Sequence, residues 1–363
     1  MADTRPDTDD FTSLFRAGLP LLDVRAPVEF AKGAFPHAVN IPLLNDEERA
    51  AVGTAYVQEG QQAAIALGHQ LVNGGKKDAR VAAWRDFAQN NPNGYLFCFR
   101  GGLRSQITQQ WLAEAGIAYP RVRGGYKAMR HFLIDTLEDI VEKRDFVVIS
   151  GHTGTGKTAV LNQLSRAVDL EGFANHHGSS FGRRIGGQPS QIDFENALAI
   201  RLLQLDAEDG PLFIEDESRL VGRCALPQAL LEKMAAAKTV ELQDTMENRI
   251  SAVQKDYVTD LSAEYQAVYG DEGFALFADF LRQSLYRIRK RLGPQRYQDI
   301  SAALDAALKV QGENSDPSLH RRWIGDLLTH YYDPMYAHQM KNKENGPSFK
   351  GDAAGVLAFC QKL

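Results

Sequence analysis

Residues 146–158 read Phe146-Val147-Val148-Ile149-Ser150-Gly151-His152-Thr153-Gly154-Thr155-Gly156-Lys157-Thr158, an apolar, β-branched run set directly before a glycine-rich loop that ends in Lys-Thr. The apolar run predicts a buried strand. The loop fits the spacing G-x-x-x-x-G-K-[ST], and a helix is expected over residues 157–167. Strand, loop and helix in that order give the spacing its chemistry. The glycines let backbone N–H groups turn inward around a diphosphate, the helix start adds positive potential, and Lys157 reaches terminal phosphate oxygens. Gly151, Gly154, Thr155, Gly156, Lys157 and Thr158 are therefore expected to bind phosphate. Thr158 stands where it would bind magnesium if the ion is used.

Downstream, residues 212–214 predict a second buried strand, followed by Glu215-Asp216-Glu217; Asp216 is the expected acidic partner of the loop. A helix over residues 227–237 and a strand over 239–242 continue an alternation that implies a mostly parallel sheet. From residue 245 onward the pattern is helical almost throughout. Between these elements His177, Ser179 and Ser180 lie in a polar, glycine-bracketed loop that can touch ligand. No guanine- or adenine-reading motif accompanies the loop, so it specifies phosphate rather than a nucleotide.

Upstream, residues 21–99 alternate short apolar runs with helical ones, again an α/β pattern. The turn Asn91-Pro92-Asn93-Gly94 precedes a strand over 95–99, which places Cys98 at a strand's carboxyl end. Cys98-Phe99-Arg100-Gly101-Gly102-Leu103-Arg104-Ser105 then leads into a helix over 105–115. Two glycines and two arginines directly after a cysteine suit an anion-binding cup under a nucleophilic thiolate, with Arg100 and Arg104 favouring its charge. Cys224 and Cys360 lack such a cup and read as core residues.

The stretches Leu22-Asp23-Val24-Arg25-Ala26-Pro27-Val28-Glu29-Phe30 and Gly33-Ala34-Phe35-Pro36-His37-Ala38-Val39-Asn40-Ile41-Pro42, taken with the cysteine loop, resemble the opening of the rhodanese family. Arg104 and Ser105 lie one place further from the cysteine than in the usual sulfurtransferase loop, which implies a wider cup. A rhodanese-like domain over residues 1–140 fused to a P-loop NTPase-like parallel-sheet domain over 141–363, with a helical C-terminal extension, resembles the tRNA 2-selenouridine synthase family. That resemblance implies tRNA carrying wobble 2-thiouridine as partner, of the Lys, Glu and Gln acceptors, and selenophosphate and geranyl diphosphate as co-substrates. It further implies an S-geranyl-2-thiouridine intermediate, Cys98 as chalcogen carrier, and an enzyme that supplies selenophosphate as a partner. An ATP-dependent tRNA sulfurtransferase is the alternative, and a nucleotide-gated RNA-binding regulator a more distant one.

At 363 residues, 44% hydrophobic and 24% charged, the chain has the length for two domains and the composition of ordinary globular material. An acidic, polar opening and the lack of any long apolar run predict no membrane contact and a cytoplasmic protein. Three widely spaced cysteines suggest neither a disulfide framework nor a metal cluster. The net charge of -5 hides two basic runs: Arg121, Arg123, Lys127 and Arg130, and residues 282–297, where Arg282, Arg287, Arg289, Lys290, Arg291 and Arg296 interleave with Tyr286 and Tyr297. The second run, with Arg321-Arg322-Trp323, is the expected tRNA surface.

Overall fold

Three-residue apolar strands build the first sheet. β1 (Leu21–Asp23), β2 (Ala38–Asn40) and β3 (Tyr95–Phe97) lie in the order β2-β1-β3, all parallel, with Leu22 facing Val39 on one side and Leu96 on the other. Helices pack around this sheet over a core that includes Leu22, Trp84, Leu96, Trp111 and Leu112. Each such side chain contributes about 1.5–3 kcal/mol by leaving water. The computed structural model describes residues 5–341 and 346–363.

Between β2 and β3 runs a helical hairpin, Asp46–Glu59 and Gln61–Leu71, hinged at Gly60 with φ 90°. Asn45 caps its first helix: its side chain accepts from the Glu48 N–H at 2.8 Å, and the Glu48 carboxylate accepts from the Asn45 N–H at 3.0 Å. Only Glu48, Ala55 and Ala64 of the hairpin are buried.

The second sheet has the order β10-β9-β4-β6-β5 and is parallel throughout: β4 (Phe146–Gly151), β5 (Ala167–Val168), β6 (Leu212–Glu215), β9 (Lys238–Leu242) and β10 (Phe349–Gly351). A small antiparallel ribbon, β7 (Leu220–Val221) with β8 (Cys224–Ala225), stands apart from it. Two sequence expectations are corrected here. The helix after the phosphate loop is only Lys157–Leu161, because the chain turns back at once into β5; Arg166 secures that return by donating to the carbonyls of Pro211 at 3.0 Å and Asp209 at 2.5 Å. The region beyond residue 245, expected to be helical almost throughout, also contributes one strand, β10, which joins the sheet beside β9. Three residues at an edge are too few to show a period-2 pattern.

Beyond β9 the helices pack on a core of their own. In Gly273–Leu292, Phe277, Leu281, Leu285, Ile288 and Leu292 recur at helical spacing and pack with Trp323, Ile324 and Leu327. The contacts divide the chain into two compact units, Met1–Ile140 with Ser190–Ala207, and Val141–Pro189 with Glu208–Leu363. The helix Gln191–Leu205 thus belongs with the first sheet, although the chain reaches it from the second. Among the described residues no helix is long and apolar enough to cross a membrane.

Candidate functional site: a cysteine cup and a phosphate loop

Cys98 follows β3, and the helix Leu103–Glu114 starts five residues later. The loop between them is pinned from beneath. The N–H groups of Tyr126 and Lys127 donate to the carbonyls of Cys98 and Phe99, each at 2.9 Å, and Arg121 donates to the Gly101 carbonyl at 3.0 Å. Gly101 has φ +63°, and a Cβ there would meet the Gly124 nitrogen at 2.6 Å, so only glycine fits. The Cys98 thiol is 3% exposed and lies 3.3 Å from the Ser105 hydroxyl, which itself donates to the Gly102 carbonyl at 2.9 Å.

Of the two arginines, Arg100 is exposed and Arg104 is held. Arg104 donates to both Glu29 oxygens, at 2.5 and 3.1 Å. Burial alone would raise the Glu29 carboxyl, but Arg104, the Ala26 N–H and Arg49 together outweigh it and keep Glu29 below its ordinary value. The Glu29 carboxylate also accepts from the Ala26 N–H at 3.1 Å and pairs with Arg49 at 3.3 Å, while Arg25, fully buried and paired with Asp23 at 2.6 Å, donates to the backbone carbonyls of Glu29 at 3.3 Å and Gly33 at 2.8 Å and lies 3.8 Å from the Tyr126 ring. The Asp23-Val24-Arg25 stretch thus orients the cysteine loop from the neighbouring strand.

The phosphate loop follows the central strand β4, outside the carboxyl ends of the sheet, where parallel α/β sheets bind ligands. Gly151, Gly154 and Gly156 have φ +153°, +84° and +81°. At Gly154 a side chain would strike the Arg249 carbonyl at 2.8 Å. The helical extension clamps the loop: Arg249 donates to the Thr153 carbonyl at 2.9 Å and to Asp333 at 2.6 Å, while His152 lies 2.9 Å from Asp333. Thr155 donates to the His152 carbonyl, and Lys157 to the Gly151 carbonyl, both at 2.9 Å.

The acid that meets Thr158 is Glu215, whose carboxylate accepts from the hydroxyl at 2.9 Å. Asp216, expected from the sequence in that place, follows β6 with its N–H bonded to the Ile149 carbonyl at 3.0 Å. Glu171 adds a second carboxylate, 3.3 Å from Thr158, and accepts from the Gly178 N–H at 2.6 Å; His177 Nδ1 lies 3.1 Å from it. Burial and the neighbouring Glu171 push the Glu215 carboxyl up to about 8, and the same causes push Glu217 to about 8. Thr158 and Glu215 are hard oxygen donors of the kind magnesium takes, although no group of three or more His, Cys, Asp or Glu side chains arranged for a metal occurs among the described residues.

His177 ties the polar loop to this cluster, and Ser179 shares a small apolar cavity with Thr153 of the phosphate loop and Tyr257. The Ser179 hydroxyl lies 3.3 Å from that of Tyr257, and Ser179 and Ser180 both line a cavity of about 770 Å³ that Arg183, Arg184, Arg223, Arg287 and Arg291 also line, Arg184 bonded to His177 and Arg291 to the Tyr331 hydroxyl. Burial and the like charge of Arg183 lower the Arg287 pKa. The basic run 282–297 is therefore not one patch. Arg287 and Arg291 enter the cavity, Arg282 pairs with Asp305 at 2.8 Å, and Arg289 stacks on Tyr286 at 3.5 Å. Arg321 is paired with Glu247, and Trp323 is core at 2% exposure. In the other basic run Arg121 is paired with Asp7 and Arg130 with Glu195. Cys224 and Cys360 are buried, and burial pushes both thiols up, Cys360 to about 11.

Comparison with known proteins bears on both halves. Residues 144–363 match the family model described as the tRNA 2-selenouridine synthase AAA domain. A tRNA 2-selenouridine synthase of Hahella chejuensis is 56% identical over 97% of this chain and 94% of its own length. That of Pseudomonas entomophila is 56% identical over 98% and 96%. The chain belongs to the tRNA 2-selenouridine synthase family. A solved N-terminal domain from Clostridium difficile 630, described as that of an ATP/GTP-binding protein, is 33% identical over 32% of this chain and 89% of its own, with a TM-score of 0.30.

Within the synthase family reading, several residues at the two loops were not visible as site residues in the sequence. Glu171 carries no motif. Glu215 and Glu217 flank Asp216, and strand alternation decides which acid turns toward Thr158. Arg183 and Arg184 follow the polar loop directly, and that adjacency was the available signal.

Proposed function

We propose that this chain converts 2-thiouridine at the tRNA wobble position to 2-selenouridine through an S-geranyl intermediate, with geranyl diphosphate and selenophosphate as co-substrates. The observation that carries the reading is the match to 2-selenouridine synthases over nearly the whole chain. The geometry supports a division of labour. At the phosphate loop the thiocarbonyl sulfur attacks the first carbon of the geranyl chain, a C–S bond forms, and the C–O bond to diphosphate breaks. Loop N–H groups and Lys157 take the charge of the departing diphosphate. Thr158 and Glu215 would hold magnesium, which, when bound, neutralises diphosphate charge.

At the rhodanese-like unit, Arg100 and Arg104 hold selenophosphate beside Cys98: the selenium attacks C2 of the alkylated base, the C–S bond breaks as geranylthiol leaves, and hydrolysis of the P–Se bond releases phosphate. Alkylation makes this step feasible, because a thiol leaves from carbon more readily than a thiocarbonyl sulfur does. The cavity of five arginines is the RNA phosphate site. A domain border near residue 140, cytoplasmic placement, tRNAs of the Lys, Glu and Gln acceptors, and supply by a selenophosphate-making enzyme complete the reading.

The test is mass spectrometry of nucleosides from thiolated tRNA incubated with geranyl diphosphate alone, selenophosphate alone, and both. Geranylated nucleoside in the first and selenonucleoside in the third are expected. ATP consumption with neither product would replace this reading with an ATP-dependent sulfurtransferase.

A further inference from the structure

Cys98 lines a cavity of about 920 Å³, within the size range of sites for drug-sized ligands. A selenophosphate-sized anion needs only the loop and its arginines. Most of this cavity offers neither. The helical hairpin Asp46–Glu59 and Gln61–Leu71 lines it with Val52 and Ile65, joined by Leu103, Ile107 and Trp111, while Arg49 and Arg104, both paired with Glu29, and Arg100 supply its positive charge. The hairpin buries little of itself against the protein, and Val57 near the rim is 84% exposed.

Two glycines sharpen this. Gly53 and Gly68 sit inside the two hairpin helices and both line the cavity. Neither has the positive φ that would require glycine; a Cβ on Gly53 would meet nothing within 4 Å, and one on Gly68 only Val52 Cγ2 at 3.8 Å. A glycine inside a helix costs about 1 kcal/mol relative to alanine. Here that cost secures no backbone geometry and relieves no clash. What it leaves is apolar space beside a reactive thiol.

We infer that this cavity holds the geranyl chain of the S-geranyl-2-thiouridine base and so presents the base to Cys98. The site rests on the two-step reading proposed above and adds a second prenyl-binding position, in the rhodanese-like unit. A flexible ten-carbon chain suits the hairpin wall, and the arginines remain for the selenium donor. Selenation then selects bases already alkylated, because an unalkylated thiouridine leaves the apolar wall uncovered.

The test uses the full chain and a fluorescent RNA hairpin carrying either S-methyl- or S-geranyl-2-thiouridine, with affinities read by anisotropy. The wild-type protein is expected to bind the geranyl RNA at least about tenfold more tightly than the methyl RNA. Gly53→Leu and Gly68→Leu, which fill the cavity with better helix formers, bring the ratio to about one. Far-UV circular dichroism identifies a variant that fails to fold, and the other then decides. Equal wild-type affinities, or a ratio that survives in a folded variant, overturn the site. In parallel, wild-type protein is given thiolated RNA and geranyl diphosphate. No geranylated nucleoside there, with the ratio intact, sinks the two-step route and spares the chain-binding cavity; geranylation with no ratio does the reverse.

Discussion

The two loops share a plan, strand to loop to helix at the carboxyl end of a parallel strand, and differ in how their charge is balanced. Beside Cys98, Glu29 is matched by Arg104 and Arg49, and Arg25, buried against Asp23, donates to the Glu29 backbone carbonyl, so that cup is fixed by ion pairs already formed. Around Lys157 and Thr158 the balance is reversed: Glu171, Glu215 and Glu217 crowd one lysine, and two of the three carboxyls are pushed up to about 8. One site is set before its ligand arrives. The other carries carboxyls that titrate near neutrality, so its charge depends on pH and on what is bound.

The largest effects separate the loops outright. Cys98→Ser is expected to reduce selenonucleoside to background while geranylation stays within about twofold of wild type. Mass spectrometry of the digested tRNA reads both, and equal loss of both would refute the division of labour. Lys157→Ala is the mirror image: geranylation falls by about two to three orders of magnitude, because a charge-stabilising donor to the leaving group is gone. Selenation of RNA supplied already geranylated continues. Loss of that second activity in Lys157→Ala would break the comparison from the other side.

Glu29→Gln tests the preformed cup. It leaves Arg104 partly buried without its anionic partner, which costs about 1–3 kcal/mol of stability, and selenation falls about tenfold as Arg104 moves off the cup. Geranylation is unchanged. Denaturant unfolding and the two product assays together distinguish a positioning residue from a general packing defect, which would lower both activities alike.

Much of this was legible in the sequence because it was local. The phosphate loop and the cysteine loop each occupy eight residues, and each strand or helix in the alternation is a short apolar pattern of its own. What was not legible depends on distance. Glu29 and Arg104 lie 75 positions apart, and Thr158 and Glu215 are 57 apart; no local pattern marks either pair. β10 escaped for the same reason, since its membership is decided by β9, more than a hundred residues earlier. The basic run 282–297 misled in the opposite way. It looked continuous in sequence, and the 3.6-residue period then sent Arg282 to an acid, Arg289 to a tyrosine face, and Arg287 and Arg291 to the cavity.

That separation gives the next test. Arg183→Ala and Arg287→Ala are each expected to weaken tRNA binding a fewfold and to reduce the slope of log affinity against log salt by about one, as for one lost phosphate contact. Arg282→Ala, paired with Asp305, changes the slope little. Anisotropy titrations at several salt concentrations read this directly; a slope change for Arg282→Ala as large as that for Arg287→Ala would restore the continuous patch.

The smallest effect concerns the carboxyls at the phosphate loop. Glu217 has a folded-state value near 8, raised first by burial and then by Glu171, against an ordinary value of 4.5. Between those limits the folded protein holds a proton that the unfolded chain has released, so stability is greatest below about pH 4.5 and falls as pH rises through 8. Glu217→Gln removes that dependence for one group, and its melting temperature should therefore exceed that of the wild type by a widening margin from pH 5 to pH 8, reaching a few degrees. The buried histidine His320, whose depressed value of about 4 gives stability the opposite slope at lower pH, is common to both proteins and cancels in the difference. Geranyl diphosphate makes the check sharper: it adds charge beside Glu217, so the margin should widen further with ligand present. Parallel melting curves with and without the substitution would mean that Glu217 is ionised throughout, and that the phosphate loop is charge-balanced in advance just as the cysteine cup is.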